Sequence, residues 1–173
     1  MTRLLLIFTT VTLLCLPLFA SLSHAADTTA APTPAIYDTL ANAKAQIADA
    51  LKLAKETDRR VLIQWGANWC VWCRALHGLM EGDSTIHQAL NSDYVLVLID
   101  VGRKDKNGDL MDKYGVDRKQ GIPFLTVLDA DGKVIVDQET GALETADKEH
   151  PSHDPAKVIA FLEKYATNQS AED

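Results

Sequence analysis

Of the three cysteines in the chain, Cys70 and Cys73 stand one helical turn apart in Trp65-Gly66-Ala67-Asn68-Trp69-Cys70-Val71-Trp72-Cys73. Val61 to Gly66 reads as a strand, apolar enough to be buried on both faces, and Cys70 to about Met80 reads as a helix. The pair therefore falls at a strand-to-helix step. A helix N-terminus presents unpaired N–H groups and a partial positive charge. A thiolate is favoured there over a thiol, so Cys70 is the expected attacking group, with a lowered pKa. Cys73, one turn on, faces back and can resolve a mixed disulfide. Arg74 adds a positive charge close by. A bridge closing so small a loop restrains the unfolded chain little, so the pair is better explained by chemistry than by stability.

Other uses of two cysteines read less well. Covalent c-type haem needs His directly after the second Cys, and Arg74 stands there. Structural zinc takes four ligands; only His77 follows on the same helical face, and there is no second Cys pair. Metal binding and an inert pair remain the alternatives to redox exchange.

The elements that must position the pair follow from periodicity and breakers. Ile36, Leu40, Ala43, Ile47, Leu51 and Ala54 recur at helical spacing over Ile36 to about Lys55. After the cysteine helix, Gly82-Asp83-Ser84 is a break, with Asp83 or Ser84 able to cap a short helix to Leu90. Tyr94 to Val101 is a second buried strand. Asn107 to Tyr114 is a short helix stopped by Gly115. Phe124 to Leu128 and Lys133 to Asp137 flank the hairpin signal Asp129-Ala130-Asp131-Gly132. Residues 141–153 read as a polar loop, and Asp154-Pro155 opens a last helix. The order implies an α/β fold: a mixed central sheet, parallel βαβ plus antiparallel ββα, with helices on both faces.

The N-terminus reads as a targeting segment. Arg3 precedes an uncharged apolar run from Leu4 to Ala20, and Ser23-His24-Ala25 supplies small residues for cleavage after Ala25. A retained anchor is the rival, but the run of about 17 residues is at the bottom of the spanning range and contains Pro17. Cys15 sits in mid-run behind Leu13-Leu14, which argues against lipidation. The expected organisation is a signal peptide over 1–25, a flexible linker over 26–35, one domain over 36–167 and a disordered tail over 168–173. Export implies an oxidising compartment, the periplasm in a bacterium. The formal charge of −7, more negative once Arg3 is removed, argues against nucleic acid as a partner.

Trp-Cys-x-x-Cys after a buried strand, followed by Lys113-Tyr114-Gly115-Val116, by Gly121-Ile122-Pro123 and by a Gly-turned hairpin, resembles the thioredoxin superfamily over residues 59–141. The resemblance extends to bacterial exported thioredoxin-like proteins and to the periplasmic C-terminal domain of DsbD-type interchange proteins. It implies a thioredoxin fold and a cis bond before Pro123, with Ile122 and Pro123 beside the sulfurs, pairing with the substrate backbone and keeping metal from the dithiol. Trp69 matches the aromatic residue before the first Cys. Two departures stand out. Gln64 occupies the position of a buried acid, whose Lys partner is replaced by Leu96, so deprotonation of Cys73 is left to water or is slow. Val71-Trp72 separates the cysteines, and Trp72 either contacts a protein partner or shields Cys73. Asp117-Arg118-Lys119-Gln120 resembles an insertion and reads as a solvated loop.

The remaining motifs carry less. His150-Pro151-Ser152-His153-Asp154 reads as a polar surface loop rather than a metal cluster. Asp129, Asp131 and Gly132 lack the rest of a calcium loop. Asp100, Arg103, Lys104, Asp105 and Lys106 read as a mixed-charge, solvated loop, with Asp100 as a cap for the next segment the alternative. The expected function is a monomeric protein thiol-disulfide oxidoreductase, a reductant using Cys70 and Cys73, with no cofactor or metal. A dithiol electron-donor protein, such as a membrane-embedded one, would recharge it. The alternatives are an oxidant or isomerase, or a non-enzymatic binding or metallochaperone module with Met80 as an extra soft ligand.

Overall fold

Strand β1, Arg60–Gly66, is the hub of the sheet. It pairs in parallel with β2, Tyr94–Asp100, and antiparallel with β3, Phe124–Leu128. The hairpin partner of β3 is β4, Val134–Glu139, which gives the order β2-β1-β3-β4. The computed structural model describes residues 33–147 and 149–167, so the expected signal peptide, most of the linker and the tail lie outside the described residues. The described residues from 34 onward belong to one compact unit.

Side chains alternate across β1 and divide the core. Val61, Ile63 and Trp65 pack with α1, Ala43–Thr57, and α4, Gly108–Lys113. Leu62 points the other way, into a cluster with α2, Val71–Gly82, α3, Ser84–Asp93, and α5, Pro155–Lys164. Helices therefore cover both faces of a mixed sheet, as the element order implied.

The starts of α3 and α5 follow their capping residues. Asp83 accepts from the N–H groups of Thr85 and Ile86, and Asp154 accepts from Ala156 with Pro155 in the first turn. Gly132 turns the hairpin with φ of +85°, in the left-handed region that a side chain disfavours. No helix among the described residues is long and apolar enough to cross a membrane.

Helix α1 begins seven residues later than its apolar spacing implies. Asn42 caps it by accepting from Ala45 N–H. Asp38 Oδ1 accepts from Leu40 N–H at 2.9 Å, a local turn that competes with the helical ladder. Leu40 is 94% exposed, so residues 36–42 form a strap rather than a helix.

The loop over 141–153 is also more structured than its polarity suggests. Thr140–Leu143 is a 3-10 turn, and a bridge between Glu144 and His153 folds the segment back. His153 is consequently buried, with its ring edge-on to Trp72 at 5.8 Å, while His150 stays exposed and pairs with Asp147. Asp100 departs from its expected place in a solvated loop: it is buried, accepts from Gly102 N–H and pairs with Lys106 Nζ at 3.0 Å. Asp117–Gln120 is an exposed turn.

Candidate functional site

Cys70 is the N-cap of α2, and its sulfur accepts the N–H of Cys73 at 3.1 Å. The two cysteines form a disulfide. A sulfur at an N-cap meets the positive end of the helix and an otherwise unpaired donor. Cys73 is fully buried, whereas Cys70 keeps 5% of its surface, so the solvent reaches the pair from the Cys70 side. Trp69 and Val71 flank that side and are exposed. The Trp69 ring is held in place by its Nε1–H, which donates to Gly102 O at 2.8 Å, and by Arg103, whose guanidinium lies 5.7 Å from the ring centroid.

The Ile122–Pro123 peptide bond is cis. Ile122 O lies 3.5 Å from Cys70 Sγ, and Ile122 packs against the cluster that holds both sulfurs. The loop is tied down from behind, because Thr140 Oγ1 donates to Pro123 O at 2.6 Å in a buried contact. Trp72 is half-buried between this cluster and His153. Met80 belongs instead to the core between α2, α3 and α5.

Gln64 lies fully buried beneath Cys73. Its Nε2 donates to Cys73 O at 3.1 Å and to the Tyr37 hydroxyl at 2.6 Å. The register places Leu98, not Leu96, opposite Gln64, and Leu98 packs on the sulfur cluster. Leu96 faces Leu62, two residues further back along the strand.

Tyr37 and Asn68 carry no catalytic signature of their own and were missed in the sequence. Asn68 Oδ1 accepts the N–H of Ile36 at 2.8 Å and of Tyr37 at 2.9 Å, while its Nδ2 donates to Tyr37 O at 2.8 Å. Lys106 Nζ, already paired with Asp100, donates to Thr39 O. These bonds clasp the strap to the carboxyl end of β1. Burial pushes the Tyr37 phenol well above its usual pKa; the bond from Gln64 opposes this and Asp100 adds to it. The hydroxyl therefore keeps its proton at any physiological pH. The available signal was Gly66, a residue without a side chain closing a bulky buried strand. A Cβ there would overlap the Tyr37 hydroxyl and stand 2.8 Å from Cys73 Sγ. The missing side chain leaves the space that Tyr37 fills.

This arrangement can hold a thiolate at Cys70 and return a second sulfur from Cys73 to close a disulfide. The comparisons agree with the geometry. A family described as thioredoxin-like matches residues 42–130. A disulphide isomerase of Xylella fastidiosa Temecula1 is 33% identical, with 76% of this chain and 96% of that one aligned at a TM-score of 0.66. The C-terminal domain of Neisseria meningitidis DsbD, at 22% identity, 72% of this chain and 96% of its own, shares the fold with TM-scores of 0.51 oxidised and 0.52 reduced. No curated protein sequence matches. The match across half the chain and the similarity to the Xylella protein, together with a disulfide at the head of α2, mean that the chain belongs to the thioredoxin-like family.

Proposed function

We propose that the protein is an exported protein thiol-disulfide oxidoreductase that works as a reductant. The observation that carries this reading is the Cys70 sulfur: it sits at the α2 N-cap, takes the Cys73 N–H, and belongs to the less deeply buried member of the pair. In the reduced protein the Cys70 thiolate attacks one sulfur of a substrate disulfide. A Cys70–substrate bond forms, the substrate S–S bond breaks, and the other substrate sulfur leaves as a thiolate that takes a proton from solvent. Cys73 then loses its proton and attacks Cys70 Sγ. The Cys70–Cys73 bond forms and the second substrate sulfur departs as a thiol. Two electrons pass to the substrate, with no dissociable cofactor.

Trp69, Val71 and Ile122 surround the approach to Cys70 and are the surface a protein substrate would meet. Trp72 supports this surface from beside Cys73, and Pro123 shapes the loop. The oxidised pair would be recharged by a dithiol donor protein, for which a membrane-embedded partner suits an exported, monomeric domain. Export rests on Arg3, the apolar run and the small residues before Ala25. The acidic chain suits no nucleic-acid role.

Direction follows from how strongly the reduced form is stabilised. Val71 and Trp72, between the cysteines, carry no charge that would stabilise the Cys70 thiolate. That favours a low potential. The isomerase of Xylella fastidiosa supports a second reading, in which the same pair reshuffles disulfides. Equilibration of the protein in graded thiol buffers separates them. A potential near about −270 mV, with reduction of insulin, supports the reductant; a value near about −180 mV, with recovery of a scrambled substrate, supports the isomerase.

A further inference from the structure

The resolving step needs the Cys73 thiolate, and a fully buried thiol resists ionisation. No acid stands beside it on β1, since Gln64 occupies that position and does not titrate. The strap brings a different group to the same place. Gln64 Nε2 has two hydrogens, and it spends them on Cys73 O and on the Tyr37 hydroxyl oxygen. Cys73 O fixes this orientation, because a carbonyl only accepts. The hydroxyl thus accepts from Gln64, and its own hydrogen is not used in that bond. The hydroxyl oxygen and Cys73 Sγ both border the space that a Gly66 Cβ would occupy, 2.2 Å and 2.8 Å from it.

We propose that Tyr37 is a positioning residue for the resolving step: its hydroxyl, held by Gln64 in the gap above Gly66, turns its hydrogen to Cys73 Sγ when the disulfide opens and favours the thiolate. The role rests on the oxidoreductase reading above. In the step itself Cys73 gives up its proton to solvent, its electron pair forms the Cys70–Cys73 bond, the Cys70–substrate bond breaks, and the substrate sulfur leaves and is protonated. Tyr37 neither gains nor loses a proton; burial keeps it neutral throughout. The charged groups around it are Asp100 and, paired with Asp100, Lys106. The other neighbours of the sulfur cluster, Ile36, Trp72, Leu98 and Ile122, do not titrate. The N-terminal strap, clasped by Asn68, is therefore part of the redox site.

The test is Tyr37→Phe, which keeps the ring and deletes the hydroxyl. In stopped-flow with a disulfide substrate, mixed-disulfide formation should proceed at the wild-type rate and resolution should slow by about tenfold, the range of a hydrogen bond to a charged group. Titration of the Cys73 thiolate by ultraviolet absorbance in a Cys70→Ser background should move to higher pH when Tyr37→Phe is added. A purely structural Tyr37 would lower melting temperature and leave both readouts unmoved, which overturns the proposal. Wild-type protein that forms no mixed disulfide overturns the oxidoreductase reading and with it this role. Wild-type exchange with unchanged resolution and titration in Tyr37→Phe overturns the role of Tyr37 alone.

Discussion

Replacing Asn68 by alanine should release the strap that covers the buried side of the disulfide. The substitution deletes three hydrogen bonds, two accepted from Ile36 and Tyr37 N–H and one donated to Tyr37 O. At about 1 kcal/mol net for each bond, the loss is about 3 kcal/mol if the strap stays in place. The strap has another route, which is to leave. That exposes Tyr37, now fully buried, at about 1.5–3 kcal/mol for a large side chain, and strips Gln64 Nε2 of one acceptor. The smaller of the two costs is what the protein shows, so the expected destabilisation is about 2–3 kcal/mol. With a urea slope of about 2 kcal/mol/M the unfolding midpoint falls by about 1–1.5 M. Hydrogen exchange assigns the loss to the strap: the Tyr37 amide should exchange at least about thirtyfold faster. The amide of Ile63, in the centre of β1, should follow only the global change. A midpoint within about 0.3 M of wild type, together with an unchanged Tyr37 amide, would refute the clasp.

Two further outcomes are expected. Gly66→Ala should destabilise by about 1–3 kcal/mol through overpacking, because its Cβ would stand 2.7 Å from Tyr37 Cζ and 2.8 Å from Cys73 Sγ. In a Tyr37→Ala background that penalty should shrink, and a double-mutant cycle in denaturant that finds simple additivity contradicts the steric account. Burial holds His153 below its usual pKa, with Glu144 opposing, so the native state disfavours the imidazolium. Its contribution is fully present above the unfolded value of about 6.5 and is lost as pH falls from there through the lower folded pKa. The difference in stability between wild type and His153→Leu should therefore depend on pH below about 6.5; a difference constant from neutral pH to pH ~5 would contradict that sign.

The amino-acid sequence by itself determined the local architecture. Apolar runs and caps are properties of neighbouring residues, so the strands from Val61, Tyr94 and Phe124 and the helix starts at Asp83 and Asp154 follow from patterns a few residues long. Cys-x-x-Cys at a strand-to-helix step likewise fixes its own geometry, because the N-cap and the first turn are contiguous. Ile122 and Pro123 reached the candidate site through resemblance to a family, since nothing local brings a loop fifty residues away to Cys70. Tertiary structure decided the rest. Ile36 and Leu40 continue the helical spacing of α1, yet the N–H groups of Ile36 and Tyr37 find Asn68 in the turn between β1 and α2, and those bonds outweigh propensity. Leu98 rather than Leu96 faces Gln64 because the register is set by the whole β1–β2 pairing. His153 and Asp100 look solvated in sequence and are buried because a bridge to Glu144 and a pairing with Lys106 close over them. Tyr37 reaches Cys73 only because Gly66 leaves room for it. The space that a missing side chain leaves is defined by residues distant in the chain, and it exists only once the sheet has formed.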